Sequence, residues 1–216
     1  SILSMPELNP AQDELLRHLR RQSSPVRSAQ LQQVLGVSQP TISRLLAPLV
    51  QTGQVSKLGA ARQQHYGLPR EVAGVGQSIT ITMVNSLGQV MPWGVLQALV
   101  GGGYWVEGDA ALQMLGGGPY YDGLPWLLQD LRPQGFLGRS FARQYMGQEL
   151  GPDPRQWSDD DVLRAISRFG DDLPGNLIVG AVALQRHVQQ AGVLLPIAQP
   201  QDYPDLAAAA IAGAVP

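Results

Sequence analysis

The chain contains no cysteine, which excludes disulfides and thiolate chemistry outright but says little about compartment. Histidine is nearly as scarce. His18, His65 and His187 are the three present, and each stands in a different expected element, so a catalytic or metal-binding cluster would need them to converge from afar. No catalytic residue and no metal site is assigned. Long apolar runs are missing too: LIVGAVAL (Leu177 to Leu184) and AAAAIAGAV (Ala207 to Val215) fall far short of the roughly 20 residues a bilayer-spanning helix needs. No membrane partner is expected. The N-terminus lacks a basic stretch leading into an apolar segment and a small-residue cleavage site, so nothing there reads as a secretory signal and the expected location is cytoplasmic. The opening SILSM suggests that Ser1 to Ser4 precede a natural start at Met5, which mass spectrometry of the native protein would test.

What is there divides in two. A length of 216 residues with 44% hydrophobic content is enough for one or two packed domains. The net charge of −2 hides an asymmetry. Ser1 to Arg70 carry eight basic residues against three acidic ones, a balance of +5, and the remainder carries seven against fourteen, a balance of −7. A basic module followed by an acidic one points to two different partners, the first of them a polyanion. The expected boundary separates 5–72 from 73–216.

The basic third reads as three helices and a hairpin. Asn9 can cap the first helix, with Pro10 at its first position and Gln12 completing a capping box, and Leu15, Leu16 and Leu19 form its stripe. A short second helix runs from Ser28 as cap through Leu31, Val34 and Leu35 to Gly36, the residue type best suited to a left-handed end. The third opens at SQPTISRLLAPLV. Ile42, Leu45, Leu46, Leu49 and Val50 recur at helical spacing and should share one buried face, which turns Thr41, Ser43 and Arg44 towards other surroundings. Ser38 or Gln39 is the expected cap. Pro48 leaves the Arg44 carbonyl unpaired and should loosen the last turn. A strand over Val55 to Leu58, a tip at Gly59 to Ala61 and a return strand from Arg62 to Tyr66 then make a wing.

Two helices joined through LGVS, the second polar at its start, and a hairpin with Lys57 and Arg62 near its tip resemble the winged helix-turn-helix family over about a third of the chain. The resemblance implies double-stranded DNA as partner, with Ser38 capping a major-groove helix on which Gln39, Thr41, Ser43 and Arg44 reach bases or phosphates. Lys57 and Arg62 would hold neighbouring phosphates, which fixes position without reading sequence. That reading requires Arg44 to stand free of its own hairpin and the Lys57 to Arg62 tip to stand clear of the acidic part. Winged helices usually meet operators as dimers with half-sites about 34 Å apart, so a homodimer is considered, although no dimerisation helix is evident.

Beyond Arg70 the pattern turns to strands. QSITITMVN alternates, SLGQ supplies a turn, and PWGVLQALV and GGGYWVEG continue an antiparallel meander. Helices follow. Ser158 caps a run with Asp161 three residues on and Val162, Leu163, Ile166 and Phe169 as its apolar face, and further helices are expected over Ala181 to Gln190 and Pro204 to Ala212. The fold class is therefore α+β: a winged helix-turn-helix, then an antiparallel sheet with helices. The glycine triplets at Gly101 and Gly116 lack the Lys-Ser/Thr pair of a phosphate loop and read as turns. Asp159 to Asp161 fit the positive end of a helix better than a cation site.

Three stretches in order, DGLPWLLQDLRPQGFLGR, GDDLPGNLIVG and YPDLAAAAIAG, resemble the N-terminal part of the HipA family of bacterial serine/threonine kinases, the toxins of toxin-antitoxin systems. The matching positions are Gly123, Leu124, Pro125, Asp130, Leu131, Pro133, Gly135, Leu137 and Gly138, then Gly170, Asp172, Gly175 and Leu177. Trp126, Leu127, Leu131 and Phe136 are expected to anchor a short helix from Trp126 to Leu131. An exposed Trp126 or Arg139 would instead favour contact with a partner. The family's phosphate loop and its catalytic and metal-binding Asp and Asn come after the matched region. The resemblance thus implies no cofactor for this chain, and ATP and magnesium only for a longer parent kinase. Either the chain is a fragment of such a kinase, the favoured expectation, or it is a natural protein that kept only the non-catalytic part. The family's better-known members meet DNA through a separate antitoxin, whereas here the reader is fused in cis. A DNA-binding regulator fused to the front of a kinase is the first expectation. A protein-docking or inhibitor module without DNA binding is the alternative.

Overall fold

The computed structural model describes residues 9–60, 63–147, 149–170 and 175–191. Helix α1 (Pro10–Arg21) begins as its sequence requires: Asn9 accepts from the Gln12 amide at 2.8 Å, and Gln12 Oε1 accepts from the Asn9 amide at 3.2 Å. A two-residue strand β1 (Val26–Arg27) follows, then α2 (Ser28–Leu35), which ends on Gly36 at φ 64°. The cap of α2 is Arg27, not Ser28. Arg27 leaves β1 in extended geometry and Gln30 Oε1 accepts its amide at 2.8 Å, so the helix starts directly from the strand and Ser28 Oγ is released to donate to Gln39. Leu31 is buried, but Val34 is 53% exposed: it projects off the face on which Leu31 and Leu35 pack.

Helix α3 (Gln39–Gln51) runs unbroken through Pro48. Its last turn is closed by Thr52, whose amide donates to the Pro48 carbonyl at 3.0 Å and whose hydroxyl donates to the same oxygen at 2.9 Å. Ile42, Leu46 and Leu49 are buried with Leu15, Leu16, Leu19, Leu31 and Val55, while Leu45 and Val50 pack half-buried at the edge. Strands β2 (Ser56–Leu58) and β3 (His65–Gly67) form the wing, and β1 joins as a third antiparallel strand in the order β1-β3-β2. The return strand therefore starts at His65 rather than Arg62. Gly59 turns at φ 73°, and the Gln63 amide donates to Ala60 at 3.1 Å, which keeps the described part of this stretch in loop.

A five-stranded antiparallel sheet follows, ordered β7-β6-β5-β4-β8. Its strands are β4 (Ser78–Val84), β5 (Val90–Ala98), β6 (Tyr104–Glu107), β7 (Tyr120–Tyr121) and β8 (Leu177–Val179). β4, β5 and β6 make the expected meander, and β7 extends it by one strand that was not expected. At the β4–β5 turn, Asn85 Oδ1 accepts from the Leu87 and Gln89 amides at 2.9 Å each. β8 reaches the far edge only after the helices have been laid down, pairing Ile81 with Val179 and Met83 with Leu177. Helix α4 (Asp109–Leu115) lies between β6 and β7, and α7 (Asp159–Phe169) covers the sheet with Val162, Leu163 and Ile166 against Ile79, Ile81, Leu96, Tyr104 and Val106. Burying such a face is the main stabilising contribution available to a helix on a sheet.

Between them run α5 (Trp126–Gln129) and α6 (Gly135–Phe141), a π-helical turn (Ala142–Met146) and a short 3-10 turn (Pro154–Gln156). Of the expected anchors of α5, Leu127 and Leu131 pack half-buried against the core, but Trp126 does not. Leu124 and Leu128 are 5% and 0% exposed, whereas Trp126 is 52% exposed, because a helix this short turns only one face inward. The Phe136 side chain lies outside the described residues. Asp159, at the start of α7, holds the segment in place: Leu124 donates its amide to Oδ2 and Gln129 its side-chain amide to Oδ1, both at 2.7 Å. Helix α8 (Ala181–Ala191) begins directly after β8. The helix expected over Pro204 to Ala212 lies outside the described residues. Both hydrophobic cores belong to the compact unit that runs to Leu184. Among the described residues no helix is long and apolar enough to cross a membrane.

Candidate nucleic-acid interface

The outer face of α3 follows from its inner one. With Ile42, Leu46 and Leu49 turned to the core, Ser43 and Arg44 are left on solvent, with Ser38 and Gln39 exposed at the helix start and Thr41 half-buried. Arg44 is free of the hairpin. Its Nε donates to the Pro40 carbonyl one turn back at 3.3 Å, which leaves the rest of the guanidinium pointing outward. Ser38 stands at the cap position without a side-chain capping bond, and its hydroxyl meets Thr41 Oγ1 at 3.1 Å instead.

Gln39 has a second task. Its Oε1 accepts from Ser28 Oγ at 2.8 Å and from Gln32 Nε2, tying α3 to α2. Only its NH2 group remains to donate outward. Arg27 was missed by the sequence reading because β1 was missed; it is exposed at the start of α2, and its Nε donates to His65 Nε2 at 3.3 Å. His65 Nδ1 stands 2.7 Å from the Gln63 carbonyl, so Nδ1 is the protonated nitrogen in this arrangement.

The wing departs from expectation at one end. Lys57 is exposed, but Leu58 on the next position of the strand is fully buried against Leu99 and Trp105 of the sheet. Side chains alternate along a strand, so the same geometry that frees Lys57 commits Leu58. The tip does not stand clear of the acidic part: the Gly59 amide donates to Glu107 Oε1 at 3.0 Å, and the His65 ring lies 5.0 Å from that of Trp105. Arg62 lies outside the described residues.

Among the described residues no group of three His, Asp or Glu is placed to hold a metal ion. The three aspartates at the start of α7 serve the fold. Asp159 holds the α5 segment, Asp160 accepts from Tyr104 at 2.7 Å and pairs with Arg70, and Asp161 completes the capping box with Ser158.

The fold thus joins a helix-turn-helix to a sheet-and-helix module, and comparison with known proteins places both. The chain belongs to the YjjJ-like toxin family: the family model for the YjjJ-like toxin middle domain matches residues 75–188, and that for the IclR helix-turn-helix domain matches residues 14–59. Toxin YjjJ of Escherichia coli (strain K12) is 34% identical over 195 residues, which cover 88% of this chain and 42% of that protein. The chain therefore spans less than half the length of this curated relative. A solved structure titled as transcriptional regulator PA3341 is 34% identical over 28% of this chain and 47% of its own, with a TM-score of 0.26.

Proposed function

We propose that the chain is the DNA-reading and scaffold portion of a toxin-related regulator, acting in the cytoplasm, in which α3 enters the major groove of double-stranded DNA. The observation that carries this reading is the two-sided build of α3: three buried aliphatics fix one face, and the opposite face offers Ser43 and Arg44 to solvent. Helix-turn-helix proteins place the polar start of such a helix on base edges. Arg44 is the base or phosphate contact, and Ser38, Thr41, Ser43 and the Gln39 NH2 group are its polar neighbours; because the wing tip is bonded to Glu107 and does not stand clear as the reading first required, α3 carries the proposal, with Lys57 on the free side of the wing and Arg62 as secondary phosphate contacts. Two-fold operators would be met by a homodimer.

The kinase reading is the finer part of the same proposal. The HipA-like order of motifs supports phosphoryl transfer, with ATP and magnesium, as the activity of longer proteins of this build, and no residue of this chain is assigned to it. Here Leu124, Leu128 and the bonds to Asp159 hold the segment from Gly123 to Gly138 as scaffold, and the exposure of Trp126 and Arg139 supports a partner contact on its outer side.

Fluorescence anisotropy with DNA from the promoter of its own gene, over a salt series, tests the DNA reading. Arg44→Ala should weaken binding about tenfold, within the roughly 1–3 kcal/mol of an arginine base contact. Lys57→Ala should weaken all sequences alike and lower the salt slope by about one. Binding that is absent at low salt would instead make the helix-turn-helix a protein-docking module.

A further inference from the structure

Gln39, at the first position of α3, is held by another helix. Its Oε1 accepts from Ser28 Oγ at 2.8 Å and from Gln32 Nε2, both on α2. A carboxamide oxygen has two lone pairs, and both are taken. The backbone beneath is fixed as well: the Ile42 amide donates to the Ser38 carbonyl at 3.0 Å, and Pro40 sets the dihedral of the next residue in the first turn. The amide group is planar, so holding its oxygen against α2 also directs its nitrogen away from α2, at an exposed position. The NH2 group meets no acceptor among the described residues.

A glutamine with both ends of its amide free presents a donor beside an acceptor, the pair that matches the N6 and N7 edge of adenine. Gln39 lacks the acceptor half. What it offers a base is a donor alone, which suits a base whose exocyclic group in the major groove is an oxygen: guanine through O6 and N7, or thymine through O4. Adenine and cytosine place an amino group there instead. A donor would then face a donor, and a polar group left unpaired in a closed interface is costly.

We infer that Gln39 is a specificity residue that selects a keto base, guanine or thymine, over an amino base, adenine or cytosine, at one position of the DNA site, and that Ser28 and Gln32 are positioning residues that set this choice from α2. The inference rests on the reading of α3 as the major-groove helix. Binding that depends on Arg44 tests that reading, whereas base preference at a single position tests the role of Gln39, so the two fail separately.

The experiment is selection by the full chain from a pool of random-sequence duplexes, with the enriched sequences read position by position. At one position guanine or thymine should be favoured about tenfold over adenine and cytosine, near the low end of what a wrong base pair costs. Gln39→Ala should erase that preference and leave the others, which identifies the position. Gln39→Glu keeps an oxygen for Ser28 and Gln32 and replaces the outward NH2 by a second oxygen, so the same position should change to cytosine or adenine. Gln32→Glu exchanges a donor to Oε1 for an acceptor; the Gln39 amide should turn over, put its oxygen outward and move the preference to the amino bases with Gln39 itself unaltered. An amino base chosen by the unsubstituted chain, a preference that survives Gln39→Ala, or variants that lower the melting temperature without moving any base preference would overturn the inference while Arg44-dependent binding stood. A chain that binds no DNA would overturn the reading of α3 and this inference together.

Discussion

Asp159, Asp160 and Asp161 are consecutive, yet each carboxylate is committed to a different neighbour, and Asp160 shows most clearly how a half-exposed carboxylate can serve a buried partner. It accepts the Tyr104 hydroxyl at 2.7 Å and pairs with Arg70, whose guanidinium carbon stands 5.3 Å from the centre of the Tyr104 ring. Burial pushes the Tyr104 phenol well above the usual tyrosine range; the bond from Arg70 opposes this and the bond to Asp160 adds to it. A folded-state value raised above the unfolded one means that stability is fully present below about pH 10 and declines as the pH rises through the folded value. Tyr104→Phe should cost about 1–2 kcal/mol in denaturant at neutral pH, the loss of one hydrogen bond to a charged acceptor, and should flatten the alkaline decline. An unchanged alkaline branch would show that another group titrates there.

At the scale of elements, the crossing of β5 with the β6–α4 corner depends on the absence of a side chain. A Cβ at Gly94 would lie 2.5 Å from the Glu107 carbonyl oxygen and 2.8 Å from Ala111 Cβ, distances that backbone must move to relieve. Gly94→Ala should therefore destabilise the chain by about 1–3 kcal/mol, seen as a lower denaturation midpoint, and should displace the Glu107 backbone. Little of this was legible beforehand. Helices with strong local signals were: Asn9 with Gln12 and Ser158 with Asp161 mark α1 and α7 because both caps close within one turn of chain. Of the strands of two or three residues, β2 and β3 were marked by the small-residue tip between them, and the others were not. β1, β7 and β8 have too few positions to show alternation, and they exist because distant partners supply the hydrogen bonds. Missing β1 misplaced the α2 cap by one residue and hid Arg27. The exposed outer face of α3 was readable from its own period; the commitment of Gln39 to Ser28 and Gln32, and of Leu58 to Trp105, was not, since those partners are fixed only by tertiary packing.

For the molecule as a whole, the division of charge maps onto two hydrophobic cores joined by a small third cluster of Leu58, Leu99 and Trp105. That joint uses one side of the wing and leaves α3 and Lys57 outside it. A helix-turn-helix docked through its wing in this way holds the outer face of α3 on a fixed support, so under the proposed reading DNA binding rests on α3 more than on the hairpin tip. Because the chain contains no cysteine, Ser43→Cys gives a single thiol on the outer face of α3, to which a DNA-cleaving iron chelate can be attached. The account predicts cuts confined to a few base pairs of its own promoter that fade as salt is raised. Absent or uniform cutting, or the same pattern from a chelate at Leu87→Cys on the exposed β4–β5 turn, would contradict it.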